Sequence, residues 1–215
     1  MRYQNITGND RPYLRGFGYQ GSASREGWGR EVAELNIGSE FKDALTEPGQ
    51  WSMGITAFGE MLPYHENRIS LDKALYDKDG NVTTDKSGKA KTDKWGLPVL
   101  AIDCEIKDNE KKMRVDMMND AKEMLETAGL KKVNTFDSGY SPGMGIHEMG
   151  TARMGRDPKS SVLNGNNQVW DAKNVFVTDG ACMTSAACVN PSLTYMALTA
   201  RAADFAVKEL KKGNL

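Results

Sequence analysis

Asn174-Val175-Phe176-Val177-Thr178-Asp179-Gly180 leads through a run of small and sulfur-bearing residues into Asn190-Pro191-Ser192-Leu193-Thr194. The first stretch reads as a strand whose apolar run stops at Asp-Gly. The second reads as a helix start, because Asn caps well and the fixed φ of proline suits the first helical position. The helix is expected to run to about Lys211, with Leu193, Met196, Ala197, Ala200, Ala203, Val207 and Leu210 as its buried stripe. A strand end beside a helix N-terminus gathers backbone N–H groups and the positive end of a helix dipole. That suits an anion or an electron-rich ring edge. The same residues also read as a well-capped strand–loop–helix connection, and both readings stay open at this level.

Upstream, Gly145-Ile146-His147-Glu148-Met149-Gly150-Thr151-Ala152-Arg153-Met154-Gly155 holds three glycines around His147, which keeps the backbone close to a neighbour. The bland reading is a histidine that caps a loop. His65, between Tyr64 and Glu66 in a polar stretch, reads as a solvated surface histidine. Further back, Met113, Met117, Ala121, Met124, Leu125 and Ala128 share one helical face, with Asp108 or Asn109 as the expected N-cap and Gly129 just past the C-terminus. Strands are expected near 15–21, 53–62, 68–72, 99–105 and 132–136. A loop is expected at 22–29 and a weakly amphipathic stretch at 31–46. Residues 77–94 read as a polar insertion with Asp79-Gly80-Asn81 at a hairpin tip. Its Asp77-Lys78-Asp79-Gly80 does not make a calcium loop: the glycine comes two residues early and position twelve is not acidic.

Composition excludes several classes. With 28 basic and 29 acidic residues the net charge is −1, so the overall footprint of a nucleic-acid binder is missing. No apolar run approaches the roughly 18 residues of a membrane span. The opening Met1-Arg2-Tyr3-Gln4-Asn5 has no apolar core of a secretory signal, so the chain as it stands reads as cytoplasmic; a signal in a longer N-terminal part would make it periplasmic. Cys104, Cys182 and Cys188 cannot form a disulfide framework, and with two histidines no metal cage is expected.

Taken in order, His147 to Gly155, Ser161-Val162-Leu163-Asn164, Asn174 to Gly180, and Asn190 to Thr194 with Ala200-Arg201-Ala202-Ala203 resemble the C-terminal part of the glucose–methanol–choline family of flavin oxidoreductases. Gly59-Glu60-Met61-Leu62-Pro63, Asn67-Arg68-Ile69-Ser70-Leu71 and Trp95-Gly96-Leu97-Pro98 resemble that family's substrate-binding domain. Within the family the likeness is to bacterial sugar and polyol dehydrogenases of the glucoside 3-dehydrogenase and gluconate 2-dehydrogenase kind.

The resemblance implies an α+β fold, an antiparallel sheet with flanking helices, in which 1–173 form a substrate-binding domain including the catalytic loop. It implies that 174–215 are a strand–loop–helix that packs on an FAD-binding domain. It implies His147 as the catalytic base and Asn190 as its partner, with Asp179, Gly180, Pro191, Ser192 and Leu193 against FAD. The implied substrate is a sugar or polyol. The family's glycine-rich dinucleotide motif in its strand–helix frame is not found here: Gly16-Phe17-Gly18-Tyr19-Gln20-Gly21 has the glycine spacing, but no hydrophobic strand precedes it and no helix follows it. The expectation is therefore a C-terminal portion of a flavoenzyme, inactive and free of FAD until the FAD-binding half is supplied, with a homodimer, a higher oligomer or a rearranged packing covering its apolar surface. A non-catalytic sugar-binding module and one subunit of a split flavoenzyme are the alternatives.

Overall fold

The computed structural model describes residues 11–27, 38–71, 74–76, 82–84 and 92–215. The expected tip Asp79-Gly80-Asn81 and residues 31–37 of the stretch 31–46 lie outside the described residues. The chain mixes helices with antiparallel strands, as an α+β reading requires. The expected single sheet is instead four separate two-stranded ladders among the described residues.

The first ladder pairs β1 (Phe17–Arg25) with β2 (Trp51–Gly59), Phe17 opposite Gly59 and Arg25 opposite Trp51. Helix α1 (Ser39–Thr46) lies between them in sequence. The pairing takes in Ser22 to Arg25, where a loop is expected from their small polar side chains. Cross-strand hydrogen bonding overrides that weak local preference. β3 (Arg68–Leu71) pairs with β6 (Leu100–Asp103), and β4 (Ala74–Tyr76) pairs with β5 (Val82–Thr84), all antiparallel.

Helix α2 (Asp108–Thr127) packs on the first ladder. Met113 and Met117 are its buried residues there, meeting Tyr13, Phe17, Tyr19 and Ala57. Gly59 makes the approach possible: a β-carbon on it would lie 2.2 Å from Met117 Cε and 2.7 Å from Met113 Sδ. The N-cap is Lys107 rather than Asp108 or Asn109. Asn109 instead turns its side chain back to the N-terminal segment, where Oδ1 accepts from Leu14 N at 2.7 Å. Gly129 stands in the left-handed region at φ 89°. Leu130 N donates to Leu125 O at 3.0 Å and Gly129 N to Glu126 O at 2.9 Å, the paired bonds of a Schellman stop. Residues 132–136 form no strand. No partner ladder receives them, and Lys132 sits at φ 57°.

A second buried group, Leu163, Asn167, Cys182 and Ala202, organises the last third. β7 (Gln168–Val169) and β8 (Ala172–Phe176) form a hairpin. The strand begins before Asn174 and ends before Val177, because Val177 N leaves the ladder to donate to Asn167 O at 3.0 Å. A 3₁₀ turn (Gly180–Cys182) precedes α3 (Ser192–Lys211), and Phe176 meets Phe205 edge-on at 6.3 Å, seating β8 on that helix. The faces of α3 are the reverse of the expected ones. Tyr195, Leu198, Ala202, Phe205 and Ala206 turn inward, while Leu193, Met196, Ala197, Ala200, Ala203, Val207 and Leu210 are exposed. No described helix is long and apolar enough to cross a membrane.

Candidate active site

His147 is half-buried in a loop that two sets of bonds hold. On its N-terminal side, Glu148 Oε1 accepts from Gly145 N at 2.7 Å, closing a tight turn. Inside that turn Ile146 is 89% exposed and adopts φ 68°, a conformation rare for a β-branched residue. On its C-terminal side, Gly150, Ala152 and Met154 donate their amides to Gly180, Ala181 and Cys182 carbonyls at 3.4, 3.0 and 2.9 Å. Glycine is needed at 150, where φ is 94°. The chain then turns so that Gly155 N donates to Leu163 O at 2.8 Å. The His147 loop is thus stitched along the 3₁₀ turn that follows Asp179.

Asp179 caps that turn, its carboxylate accepting from Ala181 N at 3.0 Å. Gly180 faces the protein: a β-carbon there would meet Met149 Sδ and Tyr195 Oη at 2.9 Å and Glu148 O at 3.1 Å. Tyr195 Oη also donates to Met149 Sδ at 3.3 Å, which ties the His147 loop to the first turns of α3. The bare side of Gly180 is therefore filled by the chain's own residues.

Asn190 is exposed, and Pro191, not Asn190, is the N-cap of α3. No side chain caps the helix. The amides of Ser192, Leu193 and Thr194 therefore keep the free donors of a helix start, and these three side chains are exposed, Leu193 by 79%. That uncapped, outward-facing first turn offers N–H donors, a positive dipole end and one apolar side chain, Leu193, together. No hydrogen bond joins the His147 imidazole or the Asn190 amide to another described residue, so both polar groups are available to a ligand. His65 lies exposed in a turn.

Burial pushes the Cys182 thiol up, in keeping with an unreactive cysteine. The Cys104 thiol, on an exposed residue, is also raised, by desolvation first and then by Asp103 and Glu148. Among the described residues no cluster of His, Cys, Asp or Glu could hold a metal ion.

Sequence reasoning does not single out Glu148, Tyr195 or Asn167, which fix the site's frame. Glu148 carries a signal, a carboxylate three residues after a glycine. Asn167 lies in Asn164-Gly165-Asn166-Asn167, read only as a turn.

The chain belongs to the GMC oxidoreductase family, whose C-terminal sequence profile matches residues 76–199. It is similar to 2-methyl-1,2-propanediol dehydrogenase of Mycolicibacterium austroafricanum, 34% identical over 151 residues, covering 69% of this chain and 24% of that protein. Gluconate 2-dehydrogenase flavoprotein of Pantoea cypripedii is 27% identical over 172 residues, covering 76% of this chain and 25% of that protein. The fructose dehydrogenase large subunit of Gluconobacter japonicus is 24% identical over 197 residues, covering 91% of this chain and 33% of that protein. The chain thus spans between 24% and 33% of the length of these relatives.

Proposed function

We propose that this chain supplies the substrate and proton-transfer side of an FAD-dependent dehydrogenase or oxidase acting on a CH–OH group of a sugar or polyol. The FAD-binding half comes from a segment outside these 215 residues, on the same polypeptide or on another. The observation that carries the reading is the stitch of the His147 loop to the 180–182 turn and to Tyr195 of α3. Two sequence-distant candidates, the His147 loop and the start of α3, belong to one hydrogen-bonded unit.

In this reading the substrate hydroxyl gives its proton to the neutral His147 imidazole, a base suited to near-neutral pH. The Asn190 amide donates a hydrogen bond to the substrate oxygen and fixes the carbon's orientation. When bound, the flavin supplies the acceptor for the hydride that leaves the carbon. The amides of Ser192, Leu193 and Thr194 would hold the flavin and stabilise negative charge that develops on it. Pro191, buried, fixes the entry to that turn, and Asp179 with Gly180 shapes the bend behind it.

Residues 174–215 form the part that docks on the FAD-binding half, and 1–173 form the substrate side. The exposed stripe of α3 supports this, because such a length of apolar surface is unusual on a solvated helix. Co-expression with the FAD-binding segment of a GMC relative tests the proposal. The expected result is a co-purifying complex with a flavin absorbance band that bleaches on adding a sugar or polyol. A complex that binds flavin yet is reduced by no sugar or polyol would overturn it. Sugar binding without flavin would favour the non-catalytic module, and self-association in place of a complex would favour the homodimer.

A further inference from the structure

Glu60 follows the last residue of β2, and its carboxylate meets a residue 125 positions along the chain: Oε1 accepts from Ser185 Oγ at 2.7 Å. An ionised acceptor makes such a bond shorter and stronger than a neutral one. Glu60 is itself held from two sides. Its N–H donates to Gly16 O at 3.1 Å, and Arg15 Nε stands 3.7 Å from the same carboxylate oxygen.

Cys188 lies against the same end of the ladder. A β-carbon on Gly18 would be 3.1 Å from Cys188 Sγ and 3.6 Å from its Cβ. Gly18 pairs with Phe58, and Phe17 with Gly59, so Gly18 and Glu60 belong to one rim of the β1–β2 ladder. The loop they touch, 183–190, contains no strand or helix and runs between Cys182 and Pro191, both buried. With both ends fixed in the interior, contacts at Ser185 and Cys188 define the path between them.

We propose that the Glu60 carboxylate and the bare backbone of Gly18 form a seat for the 183–190 loop. Glu60 and Ser185 are then positioning residues for Asn190, and the substrate-side ladder sets where the Asn190 amide stands. The importance of Asn190 rests on the function proposed above; the seat does not.

The test uses the 215-residue chain carrying Cys104→Ser, which removes the exposed thiol and leaves half-buried Cys188 and buried Cys182. Reaction with a chromogenic aromatic disulfide then reads the loop through Cys188 and wider opening through Cys182. Ser185→Ala and Glu60→Ala are expected to speed Cys188 labelling by roughly five- to tenfold, the effect of losing one hydrogen bond, while Cys182 stays slow. Glu60→Gln keeps an acceptor oxygen but loses the ionised bond, so its rate should fall between those of the parent and Glu60→Ala. Gly18→Ala should speed Cys188 as well, by crowding its sulfur. Amide exchange over 184–190 should rise in the same variants. An unchanged Cys188 rate in both alanine variants overturns the seat, as does Cys182 rising in step, which would mean general loosening.

In the flavin-completed enzyme, Ser185→Ala should lower kcat with KM little changed, and Ser185→Thr should restore it. A loosened loop with unchanged kcat overturns the positioning role. If the completed enzyme oxidises no alcohol, the proposed function fails, and the thiol and exchange results still decide the seat.

Discussion

Asn167 and Arg201 meet inside the last third of the chain: Arg201 Nη2 donates to Asn167 Oδ1 at 3.0 Å. Asn167 Nδ2 donates in turn to Val177 O at 3.0 Å, and the Asn167 backbone holds φ 65°. One fully buried amide therefore locks the exit of β8 to the middle of α3. Asn167→Ala should cost about 2–4 kcal/mol, combining unpaired buried groups with a β-carbon in the left-handed region. Asn167→Gly should cost less, about 1–3 kcal/mol, because only the bonds are lost. Urea unfolding with unchanged slope checks both. Equal costs for the two variants would remove the backbone part of the account.

The expectations that hold are those set by one-sided periodicity. Met113 and Met117 fall on a helix whose other faces are largely charged, so spacing points them at the core, whereas Met124 and Ala128 on the same face lie beyond the ladder and are exposed. α3 defeats the same reasoning because it is apolar on both sides. Tyr195, Leu198, Ala202 and Phe205 make one face, and Leu193, Met196, Ala200 and Ala203 make the other. Period gives the helix but not which face the chain covers. Residues 132–136 carry the strand formers Val133, Thr135 and Phe136, yet a strand needs a neighbour, and nothing in a local pattern reports one. The His147 segment is legible through its glycines, whereas its bonds to 180–182 are long-range and leave no local mark.

Tyr64 offers a pH test. Its phenol is pushed up to about 12, by burial first and then by its hydrogen bond to the Glu110 carboxylate, which accepts at 3.0 Å. A phenol whose pKa is raised by folding adds stability that is complete below its ordinary value near 10 and is lost as pH climbs through about 12. Phenolate absorbance should therefore show a component titrating near that value that Tyr64→Phe removes, and Glu110→Gln should move it down. Stability measured between pH 9 and 12 should fall less steeply in Tyr64→Phe than in the parent. A Tyr64 that ionises near 10 in the folded chain would refute the account.

With the FAD-binding half supplied, His147→Ala should lower kcat by roughly 10²–10⁴, the usual range for a positioned general base. Asn190→Ala should cost less, since it removes an orienting hydrogen bond and leaves the proton acceptor. His65→Ala, in its exposed turn, should be nearly silent. The order is the test: an inactive His65→Ala beside an active His147→Ala would reverse the assignment.

The outer stripe of α3 predicts an association defect without a folding defect. Met196→Lys with Leu210→Lys places charges on exposed positions, so the isolated chain should keep its unfolding free energy within about 0.5 kcal/mol. Sedimentation of the pair with the FAD-binding half should show loss of the complex. A complex of undiminished affinity would show that this face is not the contact.

Because the amides of Gly150, Ala152 and Met154 are knitted to the carbonyls of 180–182, and Gly155 to Leu163, the His147 loop and the approach to α3 are inherited as a block. Chimaeras between family members that switch parents inside 150–182 would mate mismatched halves of that weave. The stretch 131–140 carries neither helix nor ladder, and a parental junction placed there leaves the weave uncut. Recombining relatives at that seam would move the His147 loop and α3 together, while Gly18 and Glu60, which touch the 183–190 loop, stay those of the other parent.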